Sequence, residues 1–427
     1  MFFCNLKYIW VVGAMALGFA STANAQQYTL QQVLQQTRNN YAQQHNLYAQ
    51  IGESARKALW YAYLPQLAVS AQGTTQNKVP ELEIPMLPMM DLIHIPKAQY
   101  QTYVEAQQLI WDGGRIAAGA SLATAKTEAQ QQENAITARE AEEHAREAFF
   151  GVLMLDQQLA LQQNLLAEYD RQVKRLQSAV NEGVATANEL DLLRLKQIDA
   201  TEQQNQLNTA RHALVVALLA YMGTKENLPD SSLHFAEPPL PPKKEQETLE
   251  QRAELRLLDA EQKVNNAEWE QFRTNLMPTL GLFMRVGYGK PGLNMFSPHA
   301  DSFYIGGVKL SWNLGKYYQW GQQRKQWKQR QQLLQLKQQD ALRQLTALKA
   351  QQQAQVKKFA SLLQADQQKI ALRTQLRNRA QLQVEEGVLS VTDFMEQETA
   401  LTAAKQEAEI HRLQHLSALY AQQDLYK

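Results

Sequence analysis

The chain states one plan twice. Asn181-Glu182-Gly183-Val184-Ala185-Thr186-Ala187-Asn188-Glu189-Leu190 returns as Glu385-Glu386-Gly387-Val388-Leu389-Ser390-Val391-Thr392-Asp393-Phe394, an offset of 204. Leu64-Pro65-Gln66-Leu67 returns as Met277-Pro278-Thr279-Leu280 at 213, and Trp111-Asp112-Gly113-Gly114-Arg115 returns as Trp312-Asn313-Leu314-Gly315-Lys316 at 201. Three collinear matches at nearly constant offset mark an internal duplication, so the two halves must build the same unit.

Each half reads as helix, strand, loop, strand, very long helix, tight turn and shorter helix. The entering helices are expected near 29–63 and 247–276, and the returning ones near 188–222 and 392–425. The long helices, near 115–180 and 316–384, contain no Pro, and their only glycines are Gly119, Gly151 and Gly321. At 1.5 Å per residue each is about 100 Å long. Two short helices stacked end to end match one long one, which describes a tall antiparallel wall with no globular core. Gln, Ala, Leu, Glu and Lys dominate the composition, as long helices require. Pro229, Pro238-Pro239 and Pro241-Pro242 place an extended connector at 223–246, between repeats at 26–222 and 247–427.

The strands alternate. Leu280, Leu282, Met284, Val286 and Tyr288 interleave with Thr279, Gly281, Phe283, Arg285 and Gly287. Tyr304, Gly306, Val308, Leu310 and Trp312 interleave with Phe303, Ile305, Gly307, Lys309 and Ser311. Strands of about 10 residues with one lipid-facing and one water-facing side suit an outer-membrane barrel, with Tyr304 and Trp312 at its two interfaces. These strands are expected at about 279–288 and 303–313, and their first-half counterparts, at about 66–76 and 99–111, alternate less cleanly. Four strands cannot close a barrel, and an open edge in lipid is forbidden, so several chains must share one.

Lys7 precedes an apolar run over 8–19, and Ser21-Thr22-Ala23-Asn24-Ala25 ends in the small-x-small pattern of a signal-peptidase site. Residues 1–25 therefore read as a cleaved secretory signal. Cys4, the single cysteine, leaves with it, so the mature chain has no disulfide and no thiolate chemistry. Lys7 leaves too, which brings 43 basic against 42 acidic residues to parity, and nothing points to a nucleic-acid partner. No later segment carries the roughly 18 apolar residues of a membrane-spanning helix.

Candidate chemistry is thin. His411 and His415 lie one helical turn apart, but Arg412 stands where the zincin pattern needs Glu, and the pair reads as a solvated helix face. Met86, Met89, Met90 and His94 are soft-ligand types in the loop after the first strand, and read as a Pro-stiffened extracellular loop. With no nucleotide-binding loop and no nucleophile beside a base, we expect no enzymatic activity, cofactor or metal.

The duplicated plan, the turns at 181–184 and 385–388 and the Trp-Asp-Gly-Gly-Arg exit at 111–115 resemble the TolC-like outer-membrane efflux protein family over essentially the whole mature chain. The resemblance implies a mainly α fold with a small β part. Three copies would form a periplasmic α-barrel continuous with one shared twelve-stranded β-barrel in outer-membrane lipid. It also implies a tripartite efflux system, in which a periplasmic adaptor and an inner-membrane transporter deliver small molecules to the channel. A duct for protein or peptide secretion shares this architecture, and a periplasmic coiled-coil scaffold without a pore is the alternative of another class.

Gly183 and Gly387 follow glutamate and precede valine, as residues just past a helix end do, and mark the periplasmic tips. The resemblance places adaptor docking on Gly183, Val184, Ala185, Gly387, Val388 and Leu389. It also matches Asp393 and Glu396 to acidic residues lining a closed periplasmic entrance, and Glu189 to a first-turn residue that helps latch it. The family's latching arginine is Leu389 here and its tyrosine partner is Val384, so the alternatives are an ionic or an apolar closure. A capping Asp393 and a solvated Glu396 remain the simpler reading.

Overall fold

The computed structural model describes residues 26–79, 96–224, 233–242, 249–294, 297 and 299–426. The signal at 1–25 and the Met86, Met89, Met90 and His94 loop lie outside the described residues.

The first half runs β1 (Gln26–Tyr28), α1 (Leu30–Trp60), β2 (Gln66–Thr75), β3 (Ala98–Trp111), α2 (Arg115–Asn181) and α3 (Ala187–Met222). The connector contributes β4 (Leu233–Phe235), and the second half follows as α4 (Ala253–Thr274), β5 (Thr279–Lys290), β6 (Asp301–Ser311), α5 (Trp320–Glu385) and α6 (Val391–Asp424). The chain is therefore mainly helical with a small sheet part. Among the described residues no helix is long and apolar enough to cross a membrane.

α2 spans 67 residues, and α1 and α3, of 31 and 36, stack along its upper and lower halves. α4 and α6 stand in the same relation to α5, which has 66. The breaks in the two stacked columns fall at one height. At one, Asn40 Nδ2 donates to the Tyr221 carbonyl at 3.3 Å. At the other, the buried Arg252 donates through Nη1 to the carbonyls of Asp424 and Leu425, at 3.4 and 3.2 Å, and so satisfies the open end of α6.

That level also holds the densest apolar packing. Phe149 and Phe150 of α2 are fully buried, and Phe149 meets the Phe235 ring edge-on at 5.6 Å. Phe235 stacks in turn on Tyr28 at 6.0 Å. These contacts explain a feature the sequence did not suggest. The connector is not only extended coil: β4 pairs in parallel with β1, Gln26 opposite Leu233.

The second half departs from the expected helix start near residue 316. Gly113 and Gly114 adopt φ of +70° and +85°, so the chain turns directly into α2. Leu314 replaces the first of these glycines and would be strained there, so a 3-10 stretch at Leu314–Gln319 precedes α5.

Phe149→Ala removes the ring that holds β4 against α2. It should cost about 3–5 kcal/mol of stability, seen as earlier thermal loss of the helix signal. A shift no larger than that of an exposed control such as Leu240→Ala would show that this cluster is not the anchor.

Candidate functional site

The four long strands form one antiparallel sheet in the order β2-β3-β5-β6, so the duplicated hairpins meet through β3 and β5. The register puts Leu67, Ala106, Met284 and Gly306 in one row, and Val69, Val104, Val286 and Tyr304 in the next. Leu67, Val69, Tyr304, Val308 and Leu310 are all exposed, so one face is an uncovered apolar surface. The polar Gln108 on this face lies near its helical end and donates to the carbonyls of Tyr63, at 2.5 Å, and Leu109.

The opposite face carries charge. Arg285 donates to Glu105 at 2.8 Å across β3 and β5 and lies 4.2 Å over the Tyr103 ring. The alternation read in β5 and β6 thus extends across all four strands. β2 and β6 are the sheet's two edges, with no further partner strand among the described residues.

Below the sheet, the open helix ends are closed by side chains. Asp112 accepts from the backbone N–H of Gly114 at 2.9 Å and Ile116 at 2.6 Å, and from the Tyr63 hydroxyl at 3.0 Å. Burial alone would raise the Asp112 carboxyl, but these donors outweigh it and hold it below its ordinary value. Arg115 reaches the carbonyls of Thr274, Asn275 and Met277 at the end of α4, and the Trp312 indole donates to that of Leu276.

At the far end both tips close the same way. Gly183 and Gly387 each have φ of +73°. Val184 N–H donates to Ala179 and Gly183 N–H to Val180, at 2.8 and 3.1 Å, and Val388 and Gly387 repeat this with Gln383 and Val384. This is the bonding pattern of a helix ended by a left-handed glycine. The expected docking residues separate into two kinds. Val184 and Val388 are bare, at 79% and 74% exposure, whereas Ala185 and Leu389 pack onto an apolar cluster around Leu190, Leu193, Phe394 and Met395.

The expected gate residues are largely caps. Thr186 and Glu189 exchange hydrogen bonds with each other's backbone N–H, a capping box that opens α3. Ser390 opens α6, accepting from Asp393 N–H and donating to the Asp393 carboxylate at 2.8 Å. Glu396 lies one turn on, exposed, with Lys196 Nζ 3.5 Å away. Val384 and Leu389, in the positions of the family's ionic latch, both pack on the apolar cluster.

Residues 54–224 match the family model described as outer membrane efflux protein. Over that stretch the chain is similar to the outer membrane efflux protein family. Its fold is that of TolC-like channels. The outer membrane protein VceC of Vibrio cholerae matches with a TM-score of 0.69 at 14% identity, covering 93% of this chain and 95% of that one. The MtrE outer membrane channel of Neisseria gonorrhoeae gives 0.67 at 16%, over 93% and 88%. The CmeC outer membrane channel of Campylobacter jejuni gives 0.68 at 12%, over 92% and 86%. No curated protein sequence matches the chain significantly.

The sequence reading of His411 needs correction. Its side chain does not lie on a solvated face, because Nδ1 sits 2.6 Å from Oδ2 of the buried Asp366 on α5. Neither Asp366 nor the Glu105–Arg285 pair was singled out, because each pairing joins residues far apart in the chain.

Asp112→Asn should cost about 1–3 kcal/mol, because an amide cannot accept as the carboxylate does at both oxygens. Since the folded carboxyl titrates lower than free aspartate, this stabilisation is present above the ordinary value of 3.8 and lost as the pH falls below it. Acid unfolding curves of the two forms should therefore converge at low pH, and curves that stay parallel would remove Asp112 from the account.

Proposed function

We propose that three copies of this chain form the outer-membrane channel of a tripartite efflux system, passing small molecules from an inner-membrane transporter and a periplasmic adaptor to the cell exterior. One observation carries the assembly. The sheet has an apolar face for lipid and two unpaired edges, β2 and β6, and only the edge of another copy can satisfy them there. Exposed Leu192, Leu195 and Ile198 on α3 and Leu333, Leu336 and Leu372 on α5 extend the same requirement down the helical wall. Barrel closure places the Glu105, Arg285 and Lys309 side on water, so the duct is polar inside.

The adaptor would meet the tips at Val184 and Val388, each carried outward by a glycine turn. Ala185 and Leu389 support those turns from behind. Asp393 and Glu396 of each copy would then ring the periplasmic mouth with carboxylates, while Val384 and Leu389 favour apolar packing over an ionic latch.

Cross-linking of the detergent-solubilised protein should give trimers that conduct ions in planar bilayers. A stable monomer retaining its full strand content would overturn the shared barrel.

Replacing both Asp393 and Glu396 with alanine should weaken cation preference and block by multivalent cations in single-channel recordings, since a carboxylate ring concentrates cations. Unchanged selectivity would reduce both residues to their cap and surface roles.

A further inference from the structure

Asp366, in the second half of α5, is buried at 2% exposure. One of its oxygens, Oδ2, lies 2.6 Å from His411 Nδ1. The other, Oδ1, is buried without any hydrogen-bond donor, and its nearest cation, Lys369 Nζ, stands at 3.8 Å. A half-satisfied buried carboxylate is costly, and it marks a place where a ligand can bind.

Glu407 and His411 lie four apart on one face of α6, opposite Asp366. One ligand atom from each of the three residues falls within 4.8 Å of the other two. Lys369 is currently their counter-cation, 3.1 Å from Glu407, but its side chain is half exposed. As a hydrated point charge on a flexible stem, it can leave for water.

We propose that Asp366, Glu407 and His411 form a site for a divalent first-row metal ion, of which zinc fits best, bridging α5 and α6. One imidazole and two carboxylates with no thiolate match zinc, cobalt(II) or nickel(II), and do not match copper(I). The ion takes the place of the proton between Asp366 and His411, which moves to Nε2 of a neutral imidazole or passes to solvent from an imidazolium. Its two charges neutralise both carboxylates and free Lys369. Water completes the coordination on the exposed Glu407 side. The proposal stands on these residues alone and does not depend on the channel reading.

The test is calorimetric titration of the untagged mature protein in detergent with zinc, alongside cobalt(II) followed by its visible absorption. About one ion per chain should bind, and His411→Ala and Asp366→Asn should each weaken binding about tenfold or more at unchanged helix content. Lys369→Met, which removes the competing cation, should tighten it, and His415→Ala should leave it unchanged. Should Asp366→Asn fail to fold, His411→Ala carries the test. No uptake by the wild-type protein, equal binding by His411→Ala, or weaker binding by Lys369→Met would overturn the site and leave only an ion-pair network.

Discussion

Lipid offers a peptide group nothing to bond with, and in the proposed channel the rest of this structure answers to that. Each amide left bare in the hydrocarbon costs several kcal/mol. A four-stranded sheet with lipid on one face therefore cannot end at β2 and β6. Within the chain, the duplication supplies the central pairing, because β3 of one half bonds to β5 of the other. The helices inherit their arrangement from the sheet, since each hairpin is entered by a short helix and left by a long one.

The same demand for partners recurs wherever a helix stops, and the solution depends on what is nearby. In the crowded belt under the sheet, side chains arrive from other elements: Arg115 at the end of α4, and Asp112 at the start of α2. At the exposed tips nothing arrives, so the turn closes on its own backbone through Gly183 and Gly387. At mid-height a single guanidinium, Arg252, joins the end of α6 to the start of α4, where it also bonds Glu254. The copies are not identical. Leu314 in place of Gly113 lengthens the entry to α5 by a 3-10 stretch, so the second half carries exposed Tyr317 and Tyr318 just below the strands.

What could be read from the sequence was what repeats locally. Period-two alternation located β5 and β6, and the lack of breakers between residues 115 and 180 anticipated α2. The turn motif located both tips. What escaped depends on contacts between distant segments. β1 and β4 are three residues each, too short for any periodicity, and they form because Tyr28 and Phe235 find Phe149. His411 looked solvated because Asp366, which buries it, lies on another helix. The acids near the second tip were legible as acids, but their first task is capping, as Asp393 with Ser390 shows.

The level break in two of the four helical columns has a mechanical meaning. α2 and α5 run unbroken and carry load along their length like masts. α1 over α3, and α4 over α6, are booms that break at the same height, where side-chain hydrogen bonds from Asn40 and Arg252 and a shared apolar cluster, rather than backbone, cross the gap. A bend applied to α3 or α6 is therefore not passed on through continuous backbone to α1 or α4. Across that joint the continuity of the wall rests on the unbroken backbones of α2 and α5.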